Sequence, residues 1–161
     1  MWVTKNREPL IQTDFEADLF RYLVNKCAEL GIYVYAINGW VDHVHMIAAI
    51  PPKRSVADVV KRLKGASSHY VNHDLRPAHS TFAWQPGYGC LTLGETQRPK
   101  AVAYVENQKH HHAARETNAW LEHISTQDEG PAETERLVDS SMQLGEPFEP
   151  YHELDGDPYP F

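Results

Sequence analysis

Apolar residues recur at four-residue steps after Asp14: Phe15, Leu19, Leu23 and Cys27 share one face, and Leu30 extends it. That period predicts an amphipathic helix, with Asp14 as its N-cap and Gly31 at its C-terminal stop. The chain then becomes rich in β-branched and aromatic residues, and Ile32–Trp40 reads as a strand. Val41–Ile50 is its expected antiparallel return, with Asn38-Gly39 as the turn and Pro51-Pro52 as the end. A second amphipathic helix is predicted from a Ser55 cap to about Asn72, with Val56, Val59, Val60 and Leu63 facing inward. Trp2–Thr4, ahead of these, reads as the end of a strand. Behind them, residues 73–86 read as a loop containing His79, Phe82 and Trp84, followed by a short strand over Cys90–Leu93. A helix is predicted from Arg98-Pro99, with Pro at its favoured first position, to about Arg115, and a last helical stretch over Trp120–Ile124. The order β-α-β-β-α-β-α predicts an α+β fold, a mostly antiparallel sheet with helices on its faces.

A chain of 161 residues is the size of one domain and can bury a hydrophobic core. No apolar run approaches the roughly 18–20 residues of a membrane span, and the N-terminus lacks the apolar stretch of a signal peptide. Cys27 and Cys90 form neither a disulfide framework nor a four-thiolate site, so a cytoplasmic protein with reduced thiols is expected. The net charge of −7 is unevenly spread: residues 1–124 carry +2 and residues 125–161 carry −9. Acidity in the tail removes the main objection to a phosphate-binding surface on the rest. The expected division is a functional domain over 1–124 and an acidic, Pro-containing tail over 125–161.

The chemistry-bearing residues fall on predicted elements. Alternation within a strand puts His43 and His45 on one face, beside Val41 and Ile47, while Val44, Met46, Ala48 and Ile50 form a core face. Two imidazoles at this spacing can converge on one ion; on spacing alone, two partly exposed strand histidines are the commoner outcome. Asp42 could orient one ring, although the pleat would point it to the opposite face. Tyr104 and Gln108 are four residues apart and share a helical face, where a neutral amide oxygen and a phenol would lie one turn apart. A core tyrosine beside a solvated glutamine is the commoner outcome of that spacing. His110, His111 and His112 point about 100° apart around a helix and so cannot all serve one site. Lys53, Arg54, Lys61, Arg62 and Lys64 cluster on one helix, with Ser67 and Ser68 beyond, as phosphate contacts would. Phe82, Trp84 and Tyr88 could stack unpaired bases, but aromatics in a short loop more often anchor packing.

Taken together, six stretches resemble the HUH single-tyrosine transposases of the insertion-sequence-200 type. They are residues 2–10 (Trp-Val-Thr-Lys-Asn-Arg-Glu-Pro-Leu), 42–46 (Asp-His-Val-His-Met), 50–56, 63–68, 82–89 and 104–111 (Tyr-Val-Glu-Asn-Gln-Lys-His-His), in order over about residues 2–124. The resemblance implies a ferredoxin-like or RRM-like sheet flanked by helices. It implies Tyr104 as the nucleophile, His43, His45 and Gln108 as ligands of Mg2+ or Mn2+, and cleavage and rejoining of single-stranded, hairpin-bearing DNA through a 5′-phosphotyrosine. It further implies a homodimer, with active sites that can be shared between chains, associated with the nucleoid when on DNA. DNA contacts are expected from Lys5, Arg7, Lys53, Arg54, Lys61, Arg62, Lys64, Ser67, Ser68 and Lys109. Met1 directly precedes Trp2, so the first strand is expected to be short. The alternatives are a domesticated relative that processes repeated chromosomal hairpins without transposing, and a non-catalytic DNA-binding protein with structural histidines.

Overall fold

The computed structural model describes residues 1–75 and 81–114; the expectations for His79, for Trp120–Ile124 and for the tail lie outside them. Among the described residues the elements are β1 (Trp2–Val3), a helical turn (Lys5–Arg7), α1 (Glu16–Glu29), β2 (Tyr33–Trp40), β3 (His43–Ala49), α2 (Val56–Tyr70), a wider helical turn that continues it to Leu75 (Val71–Leu75), past the expected loop start at 73, α3 (Arg98–Glu106) and α4 (Gln108–Ala114). The α+β architecture is present as a three-stranded antiparallel sheet of order β1-β3-β2. The strand that carries the histidine pair is therefore central, with a neighbour on each side.

Alternation on β3 divides core from site as the pattern predicts. Val44 is fully buried, and Met46, Ala48 and Ile50 pack on the same cluster. α1 supplies Leu19, Leu23 and Cys27 to that cluster and α2 supplies Val59 and Leu63, each contributing about 1.5–3 kcal/mol by leaving water. Phe15 joins them, but Asp14 does not cap α1: Phe15 occupies the cap position with no side-chain hydrogen bond. Glu16 and Asp18 in the first turn supply negative charge there instead. Gly31 closes α1 as expected. Its φ of +70° lets Ile32 N donate to Cys27 O at 2.9 Å, which satisfies a terminal carbonyl. Ser55 caps α2, accepting from Asp58 N at 3.1 Å.

Three expectations are corrected. The hairpin turns at Val41-Asp42, because Trp40 pairs with His43, and Asn38-Gly39 lies within β2 opposite His45 and Val44. Gly39 is required by crowding there: a Cβ would fall 2.1 Å from His43 O. Cys90–Leu93 forms no strand, and Leu91 and Leu93 lie exposed. The predicted helix over 98–115 is broken at Asn107 (φ −93°, ψ 15°). Asn38 Nδ2 on β2 captures the Glu106 carbonyl at 2.9 Å, and His110 N turns instead to Asn107 O at 3.0 Å.

The loop after α2 is a packing anchor. Phe82 and Trp84 are buried, and Trp84 Nε1 donates to Ser67 Oγ at 2.9 Å. Gln85 N donates to Val3 O and Lys5 N to Ala83 O, both at 2.9 Å, so this segment covers the outer edge of the short β1.

Gly39→Ala should lower unfolding stability by more than about 2 kcal/mol, since the added carbon meets backbone. Gly65→Ala in α2, where a Cβ meets nothing within 4 Å, should raise stability by about 0.5–1 kcal/mol. Urea unfolding midpoints measure both; equal effects would reject the close approach at Gly39.

Candidate active site

The hairpin puts four side chains on the sheet face opposite the core. Trp40 pairs with His43 and Asn38 with His45, and cross-strand partners share a face. His43 is 0 % and His45 5 % exposed, with ring centroids 5.0 Å apart and planes at 90°. Buried imidazoles cost free energy unless their nitrogens are bonded, so their partners define what the site is built to do.

His43 Nδ1 lies 2.6 Å from Asp42 Oδ1. Alternation had suggested that Asp42 points away. It occupies the turn rather than the strand, so its carboxylate folds back along the adjacent ring. With Nδ1–H donating to the carboxylate, Nε2 keeps its lone pair for the interior of the site. The turn itself is tied down by the Trp-Val-Thr-Lys segment. Thr4 N donates to Asp42 O at 2.8 Å, and the buried Thr4 hydroxyl lies 3.1 Å from the same carbonyl. Arg7, at φ +54°, brings its guanidinium 3.3 Å from Asp42 Oδ2. Burial pushes the Asp42 carboxyl up, but the His43 hydrogen bond and charge, with Arg7, outweigh it and hold the group below its ordinary value.

The break at Asn107 separates Tyr104 and Gln108 onto two helices, yet both reach the histidines of the same chain. The Tyr104 ring stands edge-on to His45 at 6.3 Å. Gln108 is fully buried, with its Nε2 3.3 Å from His43 Nε2 and 2.9 Å from His112 Nε2. The three consecutive histidines diverge as helical geometry requires. His110 is exposed, His111 stacks on Tyr104 at 4.7 Å, and His112 stacks on Trp40 at 5.2 Å. A neutral N,N,O set from His43, His45 and Gln108 has the donor types that suit a divalent cation. Among the described residues no three His, Cys, Asp or Glu side chains form such a group.

A family model described as "Transposase IS200 like" matches residues 1–108, two thirds of the chain. The chain belongs to the IS200-like transposase family. The ISDra2 transposase TnpA of Deinococcus radiodurans is 28% identical over 112 residues, covering 67% of this chain and 80% of that protein. The chain is also similar to a crystal structure of a transposase candidate from D. radiodurans R1, with 30% identity and a TM-score of 0.51 over 66% of this chain and 85% of that one. The protein is thus a transposase, an enzyme that cuts DNA and transfers strands.

For a transposase, the basic candidates sort by what they already hold. Lys5, Lys53 and Lys61 are exposed. Arg62 pairs with Asp58 at 2.9 Å, and Lys109 pairs with Glu16. Arg54 Nε donates to Leu30 O, Lys64 Nζ to Gly87 O, and Arg7 holds Asp42, so these three also brace the fold. Ser68 is half-buried. Ser67 is corrected: it is fully buried, donates to Leu63 O at 2.6 Å and accepts from Trp84, so it cannot touch DNA. Phe82 and Trp84 are likewise spent on the core. Sequence reasoning missed Trp40, Asn38 and the separate roles of His111 and His112. Trp40 and Asn38 lie on the strand facing the histidine pair, and pairing them with it required the correct register.

Folding depresses the Asp42 carboxyl, so its stabilisation is complete above the ordinary value of 3.8 and is lost as pH falls through the lower folded value. Asp42→Asn should flatten that acid limb and cost about 1–3 kcal/mol at pH 7. Urea unfolding across pH 2–7 measures it; an unchanged acid limb in the variant would reject the coupling.

Proposed function

We propose that this transposase cleaves and rejoins single-stranded DNA at hairpin-bearing ends through a 5′-phosphotyrosine on Tyr104, with Mg2+ or Mn2+ held by His43, His45 and Gln108. The carrying observation is convergence from two distant stretches of chain. The Tyr104 and His45 ring centroids lie 6.3 Å apart, and the Gln108 amide nitrogen lies 3.3 Å from His43 Nε2. Full burial of a glutamine side chain is costly unless the amide has a polar task, and ligation is such a task. Two neutral imidazoles and a neutral amide leave the charge of a cation undiminished and leave positions for phosphate oxygens.

When bound, the cation supplies Lewis-acid stabilisation of the phosphate oxygens as charge builds on them. The chain's own residues do the rest. Asp42 fixes the tautomer and orientation of His43. The Tyr104 Oη attacks phosphorus, a new P–O bond forms, and the bond to the 3′ oxygen breaks. The phenol loses its proton and the departing 3′ oxygen gains one. A 3′-hydroxyl attacks the phosphotyrosine in the reverse sense, exchanging one P–O bond for another, so joining needs no external energy source. A phenol held against a sheet reaches a phosphate on a thin, bendable strand more readily than one within a duplex. The acting species is a homodimer; exposed Tyr33, Leu91 and Leu93 are side chains that association between copies would cover.

With hairpin oligonucleotides copied from the flanks of the gene, Mn2+ should yield a covalent protein–DNA adduct on a denaturing gel. EDTA should abolish it. Tyr104→Phe should lose the adduct while binding Mn2+ as tightly as the native chain. An adduct surviving in metal-loaded Tyr104→Phe would sink the nucleophile assignment.

Among the exposed bases, Lys53→Ala and Lys61→Ala should each lower the salt slope of DNA binding by about 1. Slopes measured by fluorescence anisotropy that match the native chain would remove those lysines from the interface.

A further inference from the structure

Gln108 is a flexible amide with two chemically different ends, and only its oxygen can ligate a cation. Something must control which end is presented. His112 lies on the following turn of α4, with its Nε2 2.9 Å from Gln108 Nε2. Its ring is stacked on Trp40 at 5.2 Å with planes 9° apart, and lies 4.8 Å from the His43 ring. Trp40 is the cross-strand partner of His43, so the residue that sets the His112 ring plane belongs to the same hairpin as the histidine pair.

We propose that His112 is a positioning residue that holds the nitrogen end of the Gln108 amide, so that the oxygen end serves the cation. Gln108 Nε2 has two hydrogens and two imidazole neighbours. The longer contact, 3.3 Å to His43 Nε2, is to the lone pair that a cation would take. The shorter, to His112, does not compete with ligation, because His112 Nε2 is outside the donor set. His112 therefore does for Gln108 what Asp42 does for His43: it occupies one end of an ambidentate side chain and leaves the other for the site. The inference rests on Gln108 being a ligand of the proposed cation.

A double-mutant cycle on the full chain, read by calorimetric titration with Mn2+, tests it. His112→Phe keeps a ring over Trp40 but removes the acceptor, and should weaken Mn2+ binding about 10–100-fold. His112→Gln, whose carbonyl oxygen can accept the same hydrogen bond, should restore most of that affinity. In a Gln108→Ala background, His112→Phe should cause no further loss, because it acts through an amide no longer present. Additional loss in the double variant would make His112 a ligand itself and overturn the positioning role. Native affinity in His112→Phe, beside weakened Gln108→Ala, would overturn this inference alone. Native affinity in Gln108→Ala would remove the ligand assignment beneath it and the inference with it. Should His112→Phe not fold, His112→Leu carries the same expectation.

Discussion

The register of one hairpin governs the arrangement of this molecule. Pairing Trp40 with His43 and Asn38 with His45 sends Val44 and Met46 into the core and both imidazoles to the opposite face. A slip of one residue would exchange those faces, placing the polar rings among leucines and turning the core strip outward. Two devices hold the register. Gly39 allows the strands to approach where any Cβ would strike the His43 carbonyl, and Thr4 grips the Asp42 carbonyl from the neighbouring strand. Core stability and site geometry are thus consequences of the same pairing.

Much of this could be read from residue order. The periods of four and two located α1, α2, β2 and β3 to within a few residues, and the face assignment on β3 needed only alternation. Ser55 was legible as a helix start and Gly31 as a helix stop because their roles are local: a hydroxyl accepting one amide, and a backbone free to take positive φ. What sequence could not supply were features decided by distant partners. Asn38-Gly39 has the composition of a turn, yet the register places the turn at Val41-Asp42. The helix from Arg98 has no internal breaker strong enough to predict its division. It breaks because Asn38, far away in the chain, takes the Glu106 carbonyl. Pairing of the histidine strand with the tyrosine helix rested on resemblance to a family, since spacing gave each pair separately and nothing that joined them.

The site is a set of relayed constraints rather than a row of independent residues. Thr4 holds the turn, the turn places Asp42, and Asp42 orients His43. In parallel Trp40 sets the plane of His112, whose nitrogen meets the amide of Gln108. Each step satisfies a polar group that burial would otherwise penalise. The Trp-Val-Thr-Lys segment, far from the chemistry in sequence, thereby gains a physical role. It supports His43 twice, through Val3 as its cross-strand partner and through Thr4 on the turn that places Asp42.

The two halves of the site are anchored by different physics. The histidines sit on a central strand whose other face is packed by α1 and α2. Among the described residues, α3 buries Val105 and α4 buries Gln108. One buried valine is worth about 1.5–3 kcal/mol, far less than the cluster beneath the hairpin. Much of the hold on the tyrosine-bearing segment is polar or aromatic: Asn38 on the Glu106 carbonyl, Lys109 on Glu16, the His112 stack on Trp40. Elements with few apolar anchors lie at the low end of local stability and can shift as units without unfolding the core. In the proposed reaction, Tyr104 would have to change partners while the histidine pair keeps its form. A rigid hairpin facing a lightly anchored helix meets both demands, and the polar contacts between them are where that balance is set.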